Sequence, residues 1–391
     1  MEKFRHGISK NVFVLGLVSF FNDIASEMIY PIIPIFLTGL LGVPVAIVGV
    51  IEGIAESTSS ILKLFSGWLS DKARKRKPFA VIGYSLSAIS KLILGFSYTW
   101  ELVLTARFTD RFGKGIRTSA RDALIVESSD KESMGRSFGF HRAMDTAGAV
   151  VGPLLAILVI NFWIEDYKLL FLLAFIPSCI GVLLLILFVK EKNKDHSTSK
   201  PVKLSWRNLD RSFKVFLLIS FIFMIGNSSD AFLILRAKDL GLSLTMVIFA
   251  YVSFNVVYAL SSTPAGILSD KIGPRKLLPL GFLLFAVVYL FFGIIDKSIF
   301  IWILFPLYGI YMAMTEGVGK AFISQLVPKE RSGTAFGIYQ LTVGLCTFIA
   351  SLIAGLMWTY IDVSAPFIFG SITAVISAIM FIILEKPEVI K

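Results

Sequence analysis

Charge and cysteine are scarce in this chain of 391 residues. Asp, Glu, Lys and Arg together make up 17%, cysteine occurs twice and histidine three times. Cys179 and Cys346 both stand in apolar stretches, so they give neither a disulfide framework nor a zinc-ligand spacing. His-Glu-x-x-His, Gly-x-Ser-x-Gly with a plausible partner histidine, and Gly-x-x-x-x-Gly-Lys-Ser/Thr are all missing. Gly113-Lys114-Gly115 is no phosphate loop, because the long apolar sequence around it gives no strand–loop–helix unit. These absences argue against an enzyme, a bound metal or other cofactor, and ATP-driven work by this chain alone. Long polar connections are lacking too: only residues 190–211 form one.

What is present is apolar. Hydrophobic residues make up 55%, with 35 Phe, and the mean hydropathy is +0.78. A membrane-spanning helix needs about 20 apolar residues. Runs of that kind fall at about 12–40, 45–69, 79–97, 100–125, 137–161, 168–189, 213–235, 244–268, 278–295, 299–322, 333–358 and 366–384. Their hydrophobicity is continuous and not alternating, so the expected fold is an all-α membrane protein of twelve transmembrane helices and not a barrel. Asn22, Asp23 and Glu27 interrupt the first run and no Ala-x-Ala site follows, which reads as a retained first helix rather than a signal peptide. The polar connection divides the chain into an N-terminal six-helix bundle (1–189), a central loop (190–212) and a C-terminal six-helix bundle (213–391).

The net charge of +11 is distributed by loop. Lys3, Arg5 and Lys10 precede the first span, Lys72 to Lys77 follow the second, and eight basic residues between Lys190 and Lys214 follow the sixth. Lys271, Arg275 and Lys276 follow the eighth. The opposite loops hold few, such as Lys168, Lys238 and Lys297. This positive-inside pattern places both termini and the central loop in the cytoplasm of a multi-pass cell-membrane protein. It makes the lipid bilayer, and not nucleic acid, the partner of the basic charge.

The two halves repeat. Gly67-Trp-Leu-Ser-Asp71-Lys72 matches Gly266-Ile-Leu-Ser-Asp270-Lys271, and Gly135-Arg-Ser-Phe138-Gly139 matches Gly333-Thr-Ala-Phe336-Gly337, both at an offset of about 199 residues. Parallel six-span repeats are a known transporter plan, with the substrate path where the repeats meet. On these residues the chain resembles the major facilitator superfamily. Gly67 to Lys77 is similar to that family's loop motif, with Arg74 in place of the usual glycine. Gly266 to Lys276 keeps the glycine as Gly273. Arg107, Gly113 and Gly115 resemble its fourth-helix motif, and Gly148-Ala-Val-Val-Gly152-Pro153 resembles the fifth-helix motif of proton-driven exporters. In Gly148, Gly152 and Pro153 the sequence reads close helix packing. The resemblance implies two six-helix bundles related by a pseudo-twofold repeat. It implies no substrate.

Charge inside the spans is the most informative feature, because a charge at the bilayer centre costs a few kcal/mol even on lenient scales. The stretch Arg107 to Asp122 gathers Arg107, Asp110, Arg111, Lys114, Arg117, Arg121 and Asp122 on one helix. Stripes at helical spacing run through Asp23 and Glu27 on helix 1, Glu52 and Glu56 on helix 2, Asp110, Lys114 and Arg117 on helix 4, and His141, Asp145, Gly148 and Gly152 on helix 5. One reading is a hydrated path for protons or substrate; the other is structural ion pairing, in which acids of helices 1 and 2 neutralise bases of helix 4. His141 with Asp145 suits a proton relay or a satisfied helix start. Asn255 and Tyr258 on helix 8 suit a polar organic solute or interhelical hydrogen bonds. Asp71 and Asp270, with Gly67 and Gly266, suit gating contacts or plain cytoplasmic turns, and Arg121 and Asp122 are expected to meet Asp71. Arg107 lies near the outer end, where its side chain can snorkel.

The function expected from these features is a secondary active transporter. It moves a small organic solute by alternating access, as proton-coupled efflux, and works as a monomer. An importer or facilitator of an organic anion held by Lys114 and Arg117 is the alternative. A non-transporting receptor or lipid-handling protein is the second.

Overall fold

The computed structural model describes residues 8–72, 75–129, 134–163, 167–191, 210–327 and 332–384. Those residues are almost entirely helical, in twelve membrane-length elements: α1 (Lys10–Leu40), α2 (Val45–Lys72), α3 (Lys77–Gly95), α4 (Trp100–Ser128), α5 (Met134–Trp163), α6 (Tyr167–Phe188), α7 (Arg211–Asp239), α8 (Leu244–Ile272), α9 (Pro274–Ile294), α10 (Ser298–Leu326), α11 (Ser332–Tyr360) and α12 (Ala365–Leu384). Helices satisfy every backbone donor and acceptor within the segment, which hydrocarbon requires. Eleven of these elements are long and apolar enough to cross a membrane by composition. The twelfth, α4, has the length, at 29 residues, but carries the dense charges of Arg107 to Asp122.

Two helices depart from the continuous spans that the sequence predicts. In α1 the α-helix ends at Ile29, and the chain resumes through a short α-turn into a π-helical segment, Phe36–Leu40. Pro31 and Pro34 explain the interruption, since proline supplies no N–H and crowds the preceding turn. In α7 the helix stops at Gly226 and restarts at Ala231. The residues between are Asn227, Ser228, Ser229 and Asp230, whose short polar side chains compete with the backbone for hydrogen bonds. Elsewhere the turns follow local chemistry. Ser9 and Ser243 cap α1 and α8 by accepting from the Val12 and Met246 amides. Gly273 ends α8 at φ 86°, where only glycine is unstrained, and Pro274 opens α9.

The chain forms two compact units. One holds residues 1–43 and 54–201; the other holds residues 44–53 and 202–391. Within the first, α1 packs on α5 and α6, and α3 on α4 and α6. Within the second, α7 packs on α11 and α12, and α9 on α10 and α12. The same neighbour pattern therefore recurs, as the sequence repeat leads one to expect. The first turns of α2 belong to the second unit: the Ala46 amide donates to Thr359 Oγ1 at 2.9 Å, and Gly49 lies against the Ser351 carbonyl. Large apolar side chains such as Phe162, Leu187 and Leu260 are exposed, as expected of surfaces that face lipid and not water.

Candidate functional site

The charges of α4 have partners on three helices. Asp110 forms a buried ion pair with Lys91 of α3 at 2.8 Å, and the same ammonium donates to Ser26 Oγ of α1 at 3.1 Å. Lys91 is fully buried. Arg111 pairs with Glu56 of α2 at 2.7 Å, and Arg107 approaches the same carboxylate at 4.0 Å. Arg117 lies over the Tyr84 ring at 4.6 Å and donates to Ser87 Oγ. Arg107 lies over the Tyr30 ring at 5.4 Å and is buried, so it does not snorkel to an interface. Close backbone approach brings these groups together: a methyl on Gly83 would lie 2.6 Å from Arg117 Cβ, and one on Gly115 the same distance from Leu62 Cβ. An ammonium or guanidinium removed from water needs this density of acceptors and aromatic faces.

Helices α1 and α5 cross just as closely. A methyl added at Gly148 would sit 2.7 Å from the Phe20 carbonyl oxygen and 2.9 Å from Asp23 Cβ; one at Gly152 would sit 2.6 Å from the Ile24 carbonyl oxygen. Pro153 is buried at the same crossing. Asp145, one turn before Gly148, shares its face. Asp23 is half-buried, accepts from Asn22 Nδ2 at 3.3 Å, and lies in the electrostatic field of Asp145, Lys114, Arg117 and Glu27. Lys114, also half-buried, lies among Arg111, Glu56, Asp23 and Arg117. On the far side of Asp145, His141 Nδ1 stands 3.5 Å from Asp145 Oδ2. His141 Nε2 and Asp145 Oδ1 are buried and have no hydrogen-bond partner among the described residues. A carboxylate and an imidazole with unused hydrogen-bonding atoms, the carboxylate one turn along α5 from the Gly148 contact with Asp23, can pass a proton between them.

The expected contacts of the loop aspartates stand differently. Arg121 pairs with Asp122 on its own helix at 2.8 Å and donates to Ser19 Oγ at 3.4 Å. Gly67 and Asp71 lie in the last turns of α2, where side chains fall outside the described residues. Asp270 is exposed and has no ion pair among the described residues, and a methyl on Gly266 would meet nothing within 4 Å.

The second unit holds a milder polar set. Tyr258 donates to Glu316, which also pairs with Lys320 at 3.6 Å. The Asn255 amide donates to the Tyr251 carbonyl on its own helix at 3.1 Å. Glu52 is buried and accepts from Ser229 Oγ at 3.3 Å. It therefore stands with the break in α7, whereas Glu56, one turn on, stands with α4. Around that break Tyr308 donates to Asp230 at 2.7 Å and Asn227 donates to Tyr311 at 3.1 Å, within an aromatic cluster of Phe223, Phe285, Tyr289, Tyr308 and Tyr311. Non-helical backbone at membrane depth is tolerated where it is buried in protein, and this cluster buries it.

Sequence reasoning missed Lys91, Tyr84 and Ser87, which hold Asp110 and Arg117. The available signal was a lone lysine in an otherwise apolar third span. It also missed the tyrosines around Asp230, each ordinary in its own span.

Comparison with known proteins completes the assignment. The family model described as Major Facilitator Superfamily matches residues 15–235 and 215–391. An uncharacterized MFS-type transporter of Methanocaldococcus jannaschii is 40% identical over 96% of this chain and 95% of its own length. A protein of Lactococcus lactis named as a homolog of the multi-drug resistance efflux pump PmrA is 24% identical over 95% of this chain and 93% of its own. In solved structures the fold matches that of a POT family transporter in complex with 5-aminolevulinic acid, at TM-score 0.83 and 12% identity, covering 100% of this chain and 99% of the other. With the family model matched along the chain and the repeated six-helix plan, the chain belongs to the major facilitator superfamily of membrane transporters.

Proposed function

We propose that this transporter carries a small organic solute out of the cell in exchange for protons, by alternating access, and that Asp23 is its coupling carboxylate. The observation that carries the assignment is the division of the intramembrane acids. Asp110 is held by Lys91 and Glu56 by Arg111, at 2.8 and 2.7 Å. Asp23 has instead an amide neighbour and sits between a second carboxylate, Asp145, and the basic groups Lys114 and Arg117. A proton taken up at Asp23 relieves its repulsion with Asp145 and weakens its attraction for Lys114 and Arg117; loss of the proton restores both. Coupling requires that this proton affinity differ between the outward- and inward-facing states. Asp145 and His141 extend the route by one further exchange site. Glu27, also on α1, adds a further negative charge near Asp23. Efflux is supported by similarity to the multidrug efflux pump homolog and by the fifth-helix motif around Gly148 and Gly152.

The test uses protein reconstituted in proteoliposomes with a panel of amphipathic organic dyes. An acidic lumen is expected to concentrate a transported dye in exchange for protons. Asp23→Asn is expected to keep dye counterflow and lose the pH-driven accumulation, whereas the charge-free pair Lys91→Met/Asp110→Asn keeps both. Gradient-driven accumulation that survives Asp23→Asn overturns the assignment of Asp23. Accumulation driven only by an alkaline lumen overturns antiport in favour of import.

A further inference from the structure

The second unit has a groove that the transport reading does not use. It is about 570 Å³ and is lined by Arg211, Lys214, Val215, Leu217, Leu218 and Phe221 of α7 and by Thr342 of α11. Arg211 and Lys214 line one end of it, in the first turn of α7. Below them the lining is apolar for about two helical turns. The Thr342 hydroxyl is turned away from the groove's polar use, donating at 3.0 Å to the Ile338 carbonyl of its own helix. One turn beyond Thr342, Cys346 of α11 approaches the Phe221 carbonyl at 3.9 Å, so the two helices are in contact beside the groove. Leu218 and Phe221 are 50% and 40% exposed.

We infer that this groove binds an anionic phospholipid of the adjoining leaflet, its phosphate on Arg211 and Lys214 and one acyl chain along Val215, Leu218 and Phe221. Three features select this occupant. The cations sit at one end of an otherwise apolar slot, which matches a charged headgroup on a hydrocarbon chain and not a soluble anion. Neither Arg211 nor Lys214 has an ion pair among the described residues. The positive-inside distribution sets this end of α7 on the cytoplasmic side, where anionic lipid is the local counter-charge.

Native mass spectrometry of the purified full-length protein tests the inference. It is titrated with phosphatidylglycerol and, separately, with phosphatidylcholine of the same acyl chains. Phosphatidylglycerol is expected to bind preferentially. Arg211→Gln/Lys214→Gln should weaken it about 30-fold, the worth of two surface-layer cations. Lys271→Gln/Lys276→Gln removes the same charge elsewhere in the second unit and should leave binding within about threefold, less than half a decade on the affinity scale. Thr342→Trp keeps both cations and fills the slot, and should abolish the bound lipid. Equal loss in the two charge variants, unchanged binding in Thr342→Trp, or displacement of the lipid by inorganic phosphate each overturns the inference. Thermal unfolding midpoints of the same variants report that the fold is intact, independently of the coupling test.

Discussion

Lys91 and Asp110 show at the scale of single residues how a membrane protein holds charge. Both are buried and 2.8 Å apart, and the ammonium also donates to Ser26. Taking either ion from water costs several kcal/mol, and the pair recovers that only with both partners present. Removing one should therefore do more harm than removing both. Lys91→Met alone is expected to lower stability by about 3–5 kcal/mol, and Lys91→Met/Asp110→Asn to recover most of it. Thermal unfolding of the purified single and double variants checks this, and equal losses in the two would show that the charges act independently. Arg117 follows the same rule with different chemistry, since its guanidinium stacks on Tyr84 while donating to Ser87. A lysine cannot reproduce that planar contact.

Among the helices, small residues decide which pairs approach. Gly148 and Gly152 let the α1 backbone lie against α5, and Gly226 and Gly370 do the same for α7 and α12, where each would drive a methyl into the facing backbone. Without a hydrophobic force between helices in lipid, such close packing is the main attraction. Gly139, on the same helix as Gly148, faces open space. Gly148→Ala is thus expected to destabilise by about 1–3 kcal/mol through overpacking. Gly139→Ala should be neutral or stabilise by up to about 1 kcal/mol, because alanine is the better helix former. Unfolding midpoints of the two variants decide between packing and propensity; a matching loss at both positions would refute the close-packing role. The broken helix α7 is an element of another kind, in which a polar run gives up regular backbone and the tyrosines of α9 and α10 enclose it.

For the whole molecule, the basic loops predict orientation. In a background with Cys179→Ser and Cys346→Ala, a cysteine at Lys271, in the last turn of α8, should resist a membrane-impermeant maleimide in intact cells. One at Lys297, between α9 and α10, should react. Both positions are exposed, so accessibility reports the side of the membrane, and the reverse labelling pattern would invert the proposed topology. The repeat that orients these loops also recurs in packing, with α1 on α5 and α6 as α7 is on α11 and α12.

The sequence alone determined the class, because hydrocarbon leaves a long apolar chain few choices but helices, and the repeat of Gly67 to Lys72 at Gly266 to Lys271 leads one to expect two groups of them. It also determined that Arg107 to Asp122 needs partners, since isolated charges are not tolerated at that depth. Which partners those are was decided by tertiary structure. Spacing along one helix places a side chain on a face but does not say which helix that face meets. Asp110 meets Lys91 of α3, and the acids of α2 divide between the two units, Glu56 with Arg111 and Glu52 with Ser229. That division, invisible in the stripe on which both acids lie, is what leaves Asp23 as the carboxylate to test first.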